Sequence, residues 1–283
     1  AGLRAAGGSE GQPQSAFSRD GPLAAAALEQ LDPEHDLLVA YVGKLIVSKG
    51  VDLLIAAWPL VLARAPRARL VIVGFGAYRD ALQRLCAALL AGEMQAAREL
   101  AQQGRALEAA NTPAQPLTHL LAFLESLEGE TRASYIAAAA GLRERIVFTG
   151  RLEHDELAEL LPACQALVMP STFPEAFGMV AAEAAACGAL PVSAAHSGLA
   201  EVSEALAGAL PAPAASSLSF AVDDGSVRAI AGCVADWLEL DPALRAQARE
   251  GLVQTVARRW SWDRVALGVI AAARGELDGL QEP

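Results

Sequence analysis

The stretch LLVAYVGKLIVSKGVDLL, residues Leu37–Leu54, decides the fold. It begins with a short apolar run that stops at Gly43, and a longer run with apolar residues at helical spacing starts at Gly50. A short apolar run followed by a longer amphipathic one is the pattern of a strand that leads into a helix. The stretch therefore predicts the first strand–helix unit of a sheet covered by helices.

The same pattern recurs along the chain. We predict strands at Leu37–Val42, Arg69–Val73, Arg145–Thr149, Ala166–Met169, Leu190–Ser193 and Leu218–Val222. We predict helices at Gly50–Arg64, Arg79–Leu90, His154–Ala163, Phe177–Cys187, Asp224–Glu239, Pro242–Trp260 and Trp262–Arg274. Strands that alternate with helices form a parallel sheet with helices on both faces. The predicted fold class is therefore α/β, with a doubly wound, mostly parallel, Rossmann-like sheet.

The segment Ala91–Glu144 is too long for a simple connection. It is rich in Ala and has helical periodicity, and the break NTPAQP at Asn111–Pro116 predicts two helical segments joined by a turn. We interpret it as a helical insertion on the sheet rather than a second domain. Two roles stay open, an extra helical layer packed against the body or a regulatory or acceptor-contacting lid.

The N-terminal sequence AGLRAAGGSEGQPQSAFSRDGP has no signal-peptide core. We expect residues 1–36 to be a linker or a partly disordered segment. Residues 37–283 are then expected to form one Rossmann-like domain that carries the insertion.

Composition and charge exclude several classes of function. Of 283 residues, 53% are hydrophobic and 19% are charged, which is enough apolar surface for a globular core. The formal net charge of −11 argues against the broad basic surface that nucleic-acid binding requires. Any anion must therefore be bound by a few local groups, and we expect no nucleic-acid partner.

The cysteines and the apolar stretches indicate the compartment. Close C-x-x-C pairs, as in metal or redox motifs, are absent from the sequence, so we expect free, mostly buried thiols in a reducing cytoplasm; the cysteines are Cys86, Cys164, Cys187 and Cys233. No apolar stretch approaches the roughly 20 residues of a membrane span. We therefore expect a cytoplasmic location.

Two lysines follow the first predicted strand. Lys44 comes directly after Gly43, and Lys49 stands just before the predicted helix. Lysine presents a compact positive charge that suits a phosphate oxygen, and a helix N-terminus adds free backbone N–H groups. The alternative is two solvated surface lysines. Their position at one strand end favours a phosphate site.

The second strand is followed by VGFG, with Gly74 and Gly76. Two glycines at a strand end let the backbone approach a ligand closely. The third glycine of the dinucleotide fingerprint is missing, so this signal is weak and a plain turn stays an alternative.

The stretch PSTFPEAFGMVAAEAAACGALPV, Pro170–Val192, contains two glutamates separated by seven residues. Glu175 lies in the loop after the fourth strand, and Glu183 lies in an otherwise apolar predicted helix. A carboxylate on such a helix is costly to bury unless it accepts hydrogen bonds, for example from the hydroxyls of a ribose. The alternative is an exposed surface glutamate.

These segments together resemble a known family. In this order, VGKLIVSKGVDLL, RLVIVGFG, RIVFTGRLEHDELAELLPACQALVMPS, PEAFGMVAAEAAACGALPV and SGLAEV are similar to the C-terminal half of the family four glycosyltransferases of GT-B fold. The resemblance covers Leu37–Arg274 apart from the insertion, and RRWSWDRVALGVI matches the closing helices of that family.

The resemblance implies a nucleotide-sugar donor site with retention at the anomeric carbon. Glu183 would hold the ribose hydroxyls and Glu175 the hydroxyls of the donor sugar. The backbone at Ala176, Phe177, Gly178, Met179 and Val180 would face the sugar and diphosphate, and the nucleobase contacts would lie at Thr149, Gly150 and Arg151. Gly43, Gly74 and Gly76 would complete the donor site.

The two lysines are given a catalytic role by the same resemblance. Lys49 would be one cation on the diphosphate, and Lys44 would be the other, in a position where the family usually has Arg. Lysine keeps the charge and loses the bidentate fork. Both cations would stabilise the negative charge that grows on the leaving diphosphate. Neither a metal nor a cofactor is expected, and the nucleoside-diphosphate sugar is the substrate.

The resemblance also implies what surrounds this domain. GT-B enzymes bind the acceptor mainly through an N-terminal half, and the 36 residues before Leu37 cannot build it. We therefore expect a donor-binding domain or a fragment that lacks this partner half, with peripheral membrane association of the full-length enzyme. A non-catalytic nucleotide-sugar-binding module and a GT-B relative such as a sugar-nucleotide epimerase are the alternatives.

Overall fold

A six-stranded sheet forms the centre of the molecule. The computed structural model describes residues 20–109 and 111–276. Its strands are β1 Leu37–Val42, β2 Ala68–Val73, β3 Ile146–Gly150, β4 Ala166–Met169, β5 Leu190–Ala194 and β6 Ser219–Phe220. All neighbours are parallel, in the order β3-β2-β1-β4-β5-β6. The predicted α/β class and doubly wound parallel sheet are confirmed, although β6 is shorter than predicted.

Helices cover both faces of this sheet. They are α1 Gly21–Leu28, α2 Val51–Arg64, α3 Arg79–Leu90, α4 Met94–Gln103, α5 Thr118–Glu125, α6 Gly129–Ala139, α7 His154–Leu160, α8 Met179–Ala186, α9 Ser197–Ala207, α10 Ala212–Ala215, α11 Ser226–Glu239, α12 Pro242–Arg259 and α13 Trp262–Ala273. Of these, α1, α9 and α10 were not predicted. In α9 the buried residues Leu199, Val202 and Leu206 follow helical spacing, so the sequence contained a signal for that helix.

The N-terminal helix lies in the segment expected to be a linker. Asp20 caps α1, because its Oδ1 accepts a hydrogen bond from the Leu23 N–H at 3.0 Å. Ala24 and Ala27 are buried, and the helix packs near β3. The rest of the expected linker, residues 1–19, lies outside the described residues.

The core lies on both sides of the central strands. Trp58 of α2 and Trp237 of α11 are fully buried, and these two helices pack against each other on one face. The indole N–H of Trp237 donates to the Gln165 carbonyl at 2.8 Å, which ties α11 to the start of β4. Burial of each large apolar side chain contributes about 1.5–3 kcal/mol, so this packing fixes the sheet on which the site is built.

The insertion is a packed layer of three α-helices. Helices α4, α5 and α6 occupy Ala91–Glu144, so the prediction of two helical segments is wrong, because a further break at Ser126–Glu128 separates α5 from α6. Leu120, Phe123 and Tyr135 are buried, and the Tyr135 hydroxyl donates to the Ala56 carbonyl at 2.8 Å. Replacement of the whole segment by a flexible link would therefore remove part of the core. Across the ranges 20–109 and 111–276, no helix has the length and apolarity to cross a membrane.

Candidate functional site

The candidate site lies where the sheet reverses its strand order. This reversal occurs between β1 and β4. Connections from the carboxyl ends of two such strands diverge and leave a crevice, in which open α/β sheets bind ligands. The loop after β1 carries Lys44 and Lys49, and the loop after β4 carries Glu175. The topology thus explains why these residues, far apart in sequence, meet.

Lys49 and Glu175 form an ion pair across the crevice. Lys49 Nζ donates to Glu175 Oε1, and the same oxygen accepts a hydrogen bond from Ser171 Oγ. The Lys49 and Glu175 side chains are 25% and 22% exposed, so the pair is shielded but still reaches solvent. The structure therefore brings together the two residues that were assigned to the diphosphate and the donor sugar.

Backbone contacts hold the two loops in this position. A Cβ atom on Gly50 would lie 2.0 Å from the Pro170 carbonyl oxygen, and Gly50 has a φ of 64°. Both facts require glycine here. The Thr172 N–H donates to the Ser48 carbonyl at 2.9 Å. The residues on either side of Lys49 are thus fixed directly to the loop of Glu175.

The loop after β5 holds Glu175 from the other side. The Glu175 N–H donates to Ser197 Oγ at 2.9 Å, and the Gly198 N–H donates to the Glu175 carbonyl at 3.0 Å. His196 Nε2 lies 2.9 Å from the Ser171 carbonyl, to which it donates. Ser197 has a φ of 51°, a conformation that costs a non-glycine residue about 1–3 kcal/mol. We call Lys49, Ser171, Glu175, His196 and Ser197 the polar cluster.

The surroundings of Glu175 favour its ionised form. Burial by itself raises the pKa of this carboxyl group, whereas hydrogen bonds from Lys49 and Ser171 and the charge of Lys49 lower it. The net effect holds the pKa of Glu175 below its ordinary value of 4.5. Glu175 is therefore a carboxylate, and a hydrogen-bond acceptor, at neutral pH.

Lys44 is more open than Lys49. Its side chain is exposed, and its carbonyl accepts a hydrogen bond from the Tyr41 hydroxyl at 2.9 Å. The Tyr41 hydroxyl would also lie 2.8 Å from a Cβ atom on Gly43, so this turn needs a small residue there. The structure places the two lysines in one loop and gives only Lys49 to the polar cluster.

The glycines after β2 pack against a neighbouring loop. A Cβ atom on Gly74 would lie 1.9 Å from the Gly43 carbonyl oxygen, and one on Gly76 would lie 2.2 Å from the Leu45 carbonyl oxygen. The sequence predicted that a ligand would lie close to the backbone of these glycines. In the structure, the loop after β1 lies there. These glycines pack that loop into place beside the crevice.

The segment Ala176–Val180 leads from the polar cluster into α8. Gly178 precedes the helix, which begins at Met179 rather than at the predicted Phe177. Amide groups in the first turn of an α-helix have no partner within the helix. The Met179 and Val180 amides are thus available to an anion, as the resemblance implies.

Glu183 lies on the solvent side of α8 and not in its buried face. Its side chain is exposed, so the expectation of a buried carboxylate is wrong. It borders a cavity of about 610 Å³, which we call the apolar groove, lined by Phe177, Met179, Ala182, Glu183, Ala186, Val253, Val256, Ala257, Trp260, Ser261, Trp262 and Val265. Phe177 and Trp260 meet edge to face there, with ring centroids 5.7 Å apart.

The residues expected at the nucleobase lie at the end of β3. The Thr149 side chain is fully buried, and its hydroxyl donates to the Gly150 carbonyl at 3.0 Å, so it leaves only its backbone to a ligand. Arg151 is exposed, pairs with Glu153 at 3.3 Å, and lies over the Phe75 ring at 6.0 Å. The Gly74 N–H donates to the Gly150 carbonyl at 2.9 Å and joins this loop to the site.

Sequence reasoning missed Ser171, His196 and Ser197. A usable signal was present, because all three follow the carboxyl ends of β4 and β5. The contact of Ser197 with the Glu175 amide depends on a positive φ at Ser197, which is rare for serine and which no pattern in the sequence predicts.

A family model covers both halves of this site. The model described as glycosyl transferases group 1 matches residues 28–97 and 120–251. These ranges form most of the chain and include every residue of the polar cluster. The chain belongs to the glycosyl transferases group 1 family. The match leaves out residues 98–119 of the insertion.

Curated relatives agree with this family. A D-inositol 3-phosphate glycosyltransferase of Segniliparus rotundus is 28% identical over 263 residues, which cover 92% of this chain and 45% of the relative. The uncharacterized glycosyltransferase MJ1607 of Methanocaldococcus jannaschii is 28% identical over 169 residues, which cover 60% of this chain and 30% of the relative. The chain thus spans less than half the length of these two curated relatives.

Solved structures share the fold. HepE of Anabaena in complex with UDP-glucose has a TM-score of 0.54 and 18% identity, over 92% of this chain and 54% of that one. Sucrose-phosphate synthase of Thermosynechococcus elongatus has a TM-score of 0.52 and 22% identity, over 92% of this chain and 49% of that one. At these identities the likeness concerns the fold.

Proposed function

We propose that this chain is the C-terminal, donor-binding half of a family four, retaining glycosyltransferase. Its substrate is a nucleoside-diphosphate sugar, bound in the crevice between β1 and β4. The observation that carries the proposal is the pairing of Lys49 with Glu175 at this topological switch point. The family match supports glycosyl transfer, and the fold supports a crevice in this position.

Lys49 has the capacity to bind a diphosphate without leaving Glu175. An ammonium group has three N–H donors, and Glu175 Oε1 uses one of them. The other two remain for phosphate oxygens. Glu175 is placed to hold Lys49 in position while the crevice is empty. The chain contains only two lysines, Lys44 and Lys49, both in this loop, and we assign the second cation on the diphosphate to Lys44.

Glu175 is assigned to the donor sugar. Both hydrogen bonds that its carboxylate accepts from described residues use Oε1, so Oε2 is left to accept from a sugar hydroxyl. The lowered pKa keeps this acceptor charged. The amides of Met179 and Val180 would face the diphosphate, and Glu183 at the rim of the apolar groove would accept from the ribose hydroxyls.

The chemistry then follows from where charge develops. As the bond from the anomeric carbon to the diphosphate oxygen breaks, negative charge grows on the leaving group. Cations that are already in place favour that state over the ground state, and Lys49 is held in place by the polar cluster. The acceptor, the acceptor-binding half and any membrane association stay predictions, because the chain spans less than half the length of the two curated relatives described above.

Binding measurements test this proposal. UDP, GDP and ADP, each with its sugar conjugates, are titrated calorimetrically, and one of the diphosphates is expected to bind. A charge-assisted hydrogen bond contributes about 1.5–3 kcal/mol, so Lys49→Ala should weaken that diphosphate at least about tenfold. The matched nucleoside, which has no phosphate, should bind both proteins nearly equally. Equal losses for both ligands would show that Lys49 acts on folding, and no binding by the parent would overturn the proposal.

A further inference from the structure

The insertion reaches the loop that carries Lys49. Glu108 lies within residues 98–119, the part of the insertion that the family match leaves out. Its Oε1 accepts a hydrogen bond from the Val47 N–H at 2.6 Å. Val47 begins a short 3₁₀ turn, Val47–Lys49, whose last residue is Lys49. One carboxylate therefore connects an added segment of this chain to the turn of Lys49.

Contacts between its two ends close the base of the loop that carries Glu108. The Arg105 N–H donates to the Gln115 carbonyl at 3.2 Å. A Cβ atom on Gly104 would lie 1.8 Å from the same carbonyl oxygen, which requires glycine there. The Leu117 N–H donates to the Ala101 carbonyl at 2.9 Å and ties α5 to α4. The loop that carries Glu108 thus starts and ends on packed helices.

Glu108 satisfies a backbone group that the turn leaves without a partner. The first N–H of a helical turn has no acceptor within the turn. Val47 is 8% exposed, so loss of the carboxylate would leave a poorly hydrated donor. The turn is completed by the Lys49 N–H on the Ile46 carbonyl and the Gly50 N–H on the Val47 carbonyl, both at 3.0 Å. Release of Val47 would therefore loosen the backbone that directs Lys49.

We propose that Glu108 is a positioning residue for Lys49, through which the insertion sets the affinity of the crevice for a diphosphate. The contact makes the insertion more than an added layer. It acts through the Val47–Lys49 turn and touches no donor atom. The effect on the diphosphate rests on the proposed function above, whereas the effect on the turn does not.

The first test needs no nucleotide. Because the chain has only two lysines, an amine-acylating reagent followed by peptide mapping reports Lys49 and Lys44 separately. Glu108→Ala should raise the labelling rate of Lys49 several-fold and leave that of exposed Lys44 unchanged. Glu125→Ala, at an exposed glutamate on α5 of the same insertion, is the matched control and should change neither rate. Melting temperatures establish that each variant is folded.

The second test measures affinity for whichever of UDP, GDP and ADP binds the parent. Loss of a charge-assisted hydrogen bond predicts diphosphate binding that is weaker by at most roughly 10- to 150-fold for Glu108→Ala, with the matched nucleoside unaffected. Glu108→Gln keeps an acceptor oxygen, so it should restore most of the affinity. In a Lys49→Ala background, Glu108→Ala should cause no further loss, because it acts through Lys49.

The outcomes separate this inference from the proposed function. Unchanged Lys49 labelling in a folded Glu108→Ala protein overturns the positioning role. Faster labelling with unchanged diphosphate affinity, or additive losses in the double variant, overturns the link to the donor. A parent that binds none of the three diphosphates overturns the proposed function, and the labelling result then still decides whether Glu108 holds the turn.

Discussion

The polar cluster and the apolar groove flank the same short segment, Ala176–Val180, and are built in opposite ways. The polar cluster joins loops from β1, β4 and β5 through hydrogen bonds between named donors and acceptors. The apolar groove lies between α8, α12 and α13, and one edge-to-face ring contact is its most specific feature. Hydrogen bonds are directional and packing is not, so the cluster has one geometry and the groove is open.

This difference separates the two glutamates of the E-x7-E pair. Glu175 already has charged and polar partners before any ligand arrives, whereas Glu183 is exposed at the rim of the groove. Similar residues at a fixed spacing therefore have different roles in stability. We expect changes in the backbone contacts that hold the polar cluster to affect folding and binding together, and changes in the groove to affect binding or nothing.

The largest expected effect concerns Asp52 in α2, the helix that follows Lys49. It is the second residue of α2, it is 3% exposed, and burial raises its pKa to about 7. The pKa of an Asp carboxyl group in the unfolded chain is 3.8. The unfolded state therefore releases this proton first, and the free energy of unfolding falls as pH rises from about 4 to about 7, above which the loss is complete. Asp52→Asn removes the free-energy cost of keeping an ionisable carboxyl group buried. It should stabilise the protein by roughly 2–4 kcal/mol at pH 8 and by little at pH 4.

Urea unfolding of both proteins at pH 4 and pH 8 measures the difference. An equal change in unfolding free energy at the two pH values would show that Asp52 is ionised in the folded state.

The next effect concerns Gly198, where the loop of Glu175 meets α9. A Cβ atom there would lie 2.5 Å from the Phe177 Cα atom and 2.7 Å from the Ala176 carbonyl oxygen, both backbone atoms. Gly198→Ala should therefore cost about 1–3 kcal/mol of unfolding free energy and weaken diphosphate binding. The control is Gly208→Ala at the end of α9, where a Cβ atom meets nothing within 4 Å. Equal stabilities of the two variants would mean that the loop has room to move.

Glu183→Gln tests the rim of the apolar groove. A charge-assisted acceptor is about twice as strong as a neutral one, so affinity for the nucleoside diphosphate should fall by about 0.7–1.5 kcal/mol. Inorganic pyrophosphate, which lacks the ribose, should bind both proteins equally in the same calorimeter. Because Glu183 is exposed, the melting temperature of the free protein should not change. Parent-like nucleotide affinity would remove Glu183 from the site.

The smallest effect is expected in the groove itself. Trp262 is 81% exposed although it lines the groove, so Trp262→Ser should change the free energy of unfolding by less than about 0.5 kcal/mol. Chemical denaturation measures this change directly. A loss above 2 kcal/mol would show that the groove contributes to the folded core, and the contrast with the polar cluster would disappear.

The sequence by itself determined the sheet and the placement of chemistry at its carboxyl edge. Apolar runs at Leu37–Val42 and Ala166–Met169 are long and uninterrupted enough to be read as strands, and the polar residues that follow them must then lie at one edge. The strand pattern places Lys49 and Glu175 at strand ends, and the family resemblance assigns both to one donor site. Local periodicity and turn residues are properties of neighbouring residues, and a sequence displays them directly.

Tertiary structure alone decided the rest. No local pattern shows that Glu108 caps Val47 from a loop sixty-one positions away, that Ser197 adopts a positive φ to receive the Glu175 amide, or that Gly74 is small because the Gly43 carbonyl lies against it. The exposure of Glu183 depends likewise on how α12 packs beside α8. Each of these is a contact between distant segments, and its energy depends on distances that exist only once the sheet has brought those segments together.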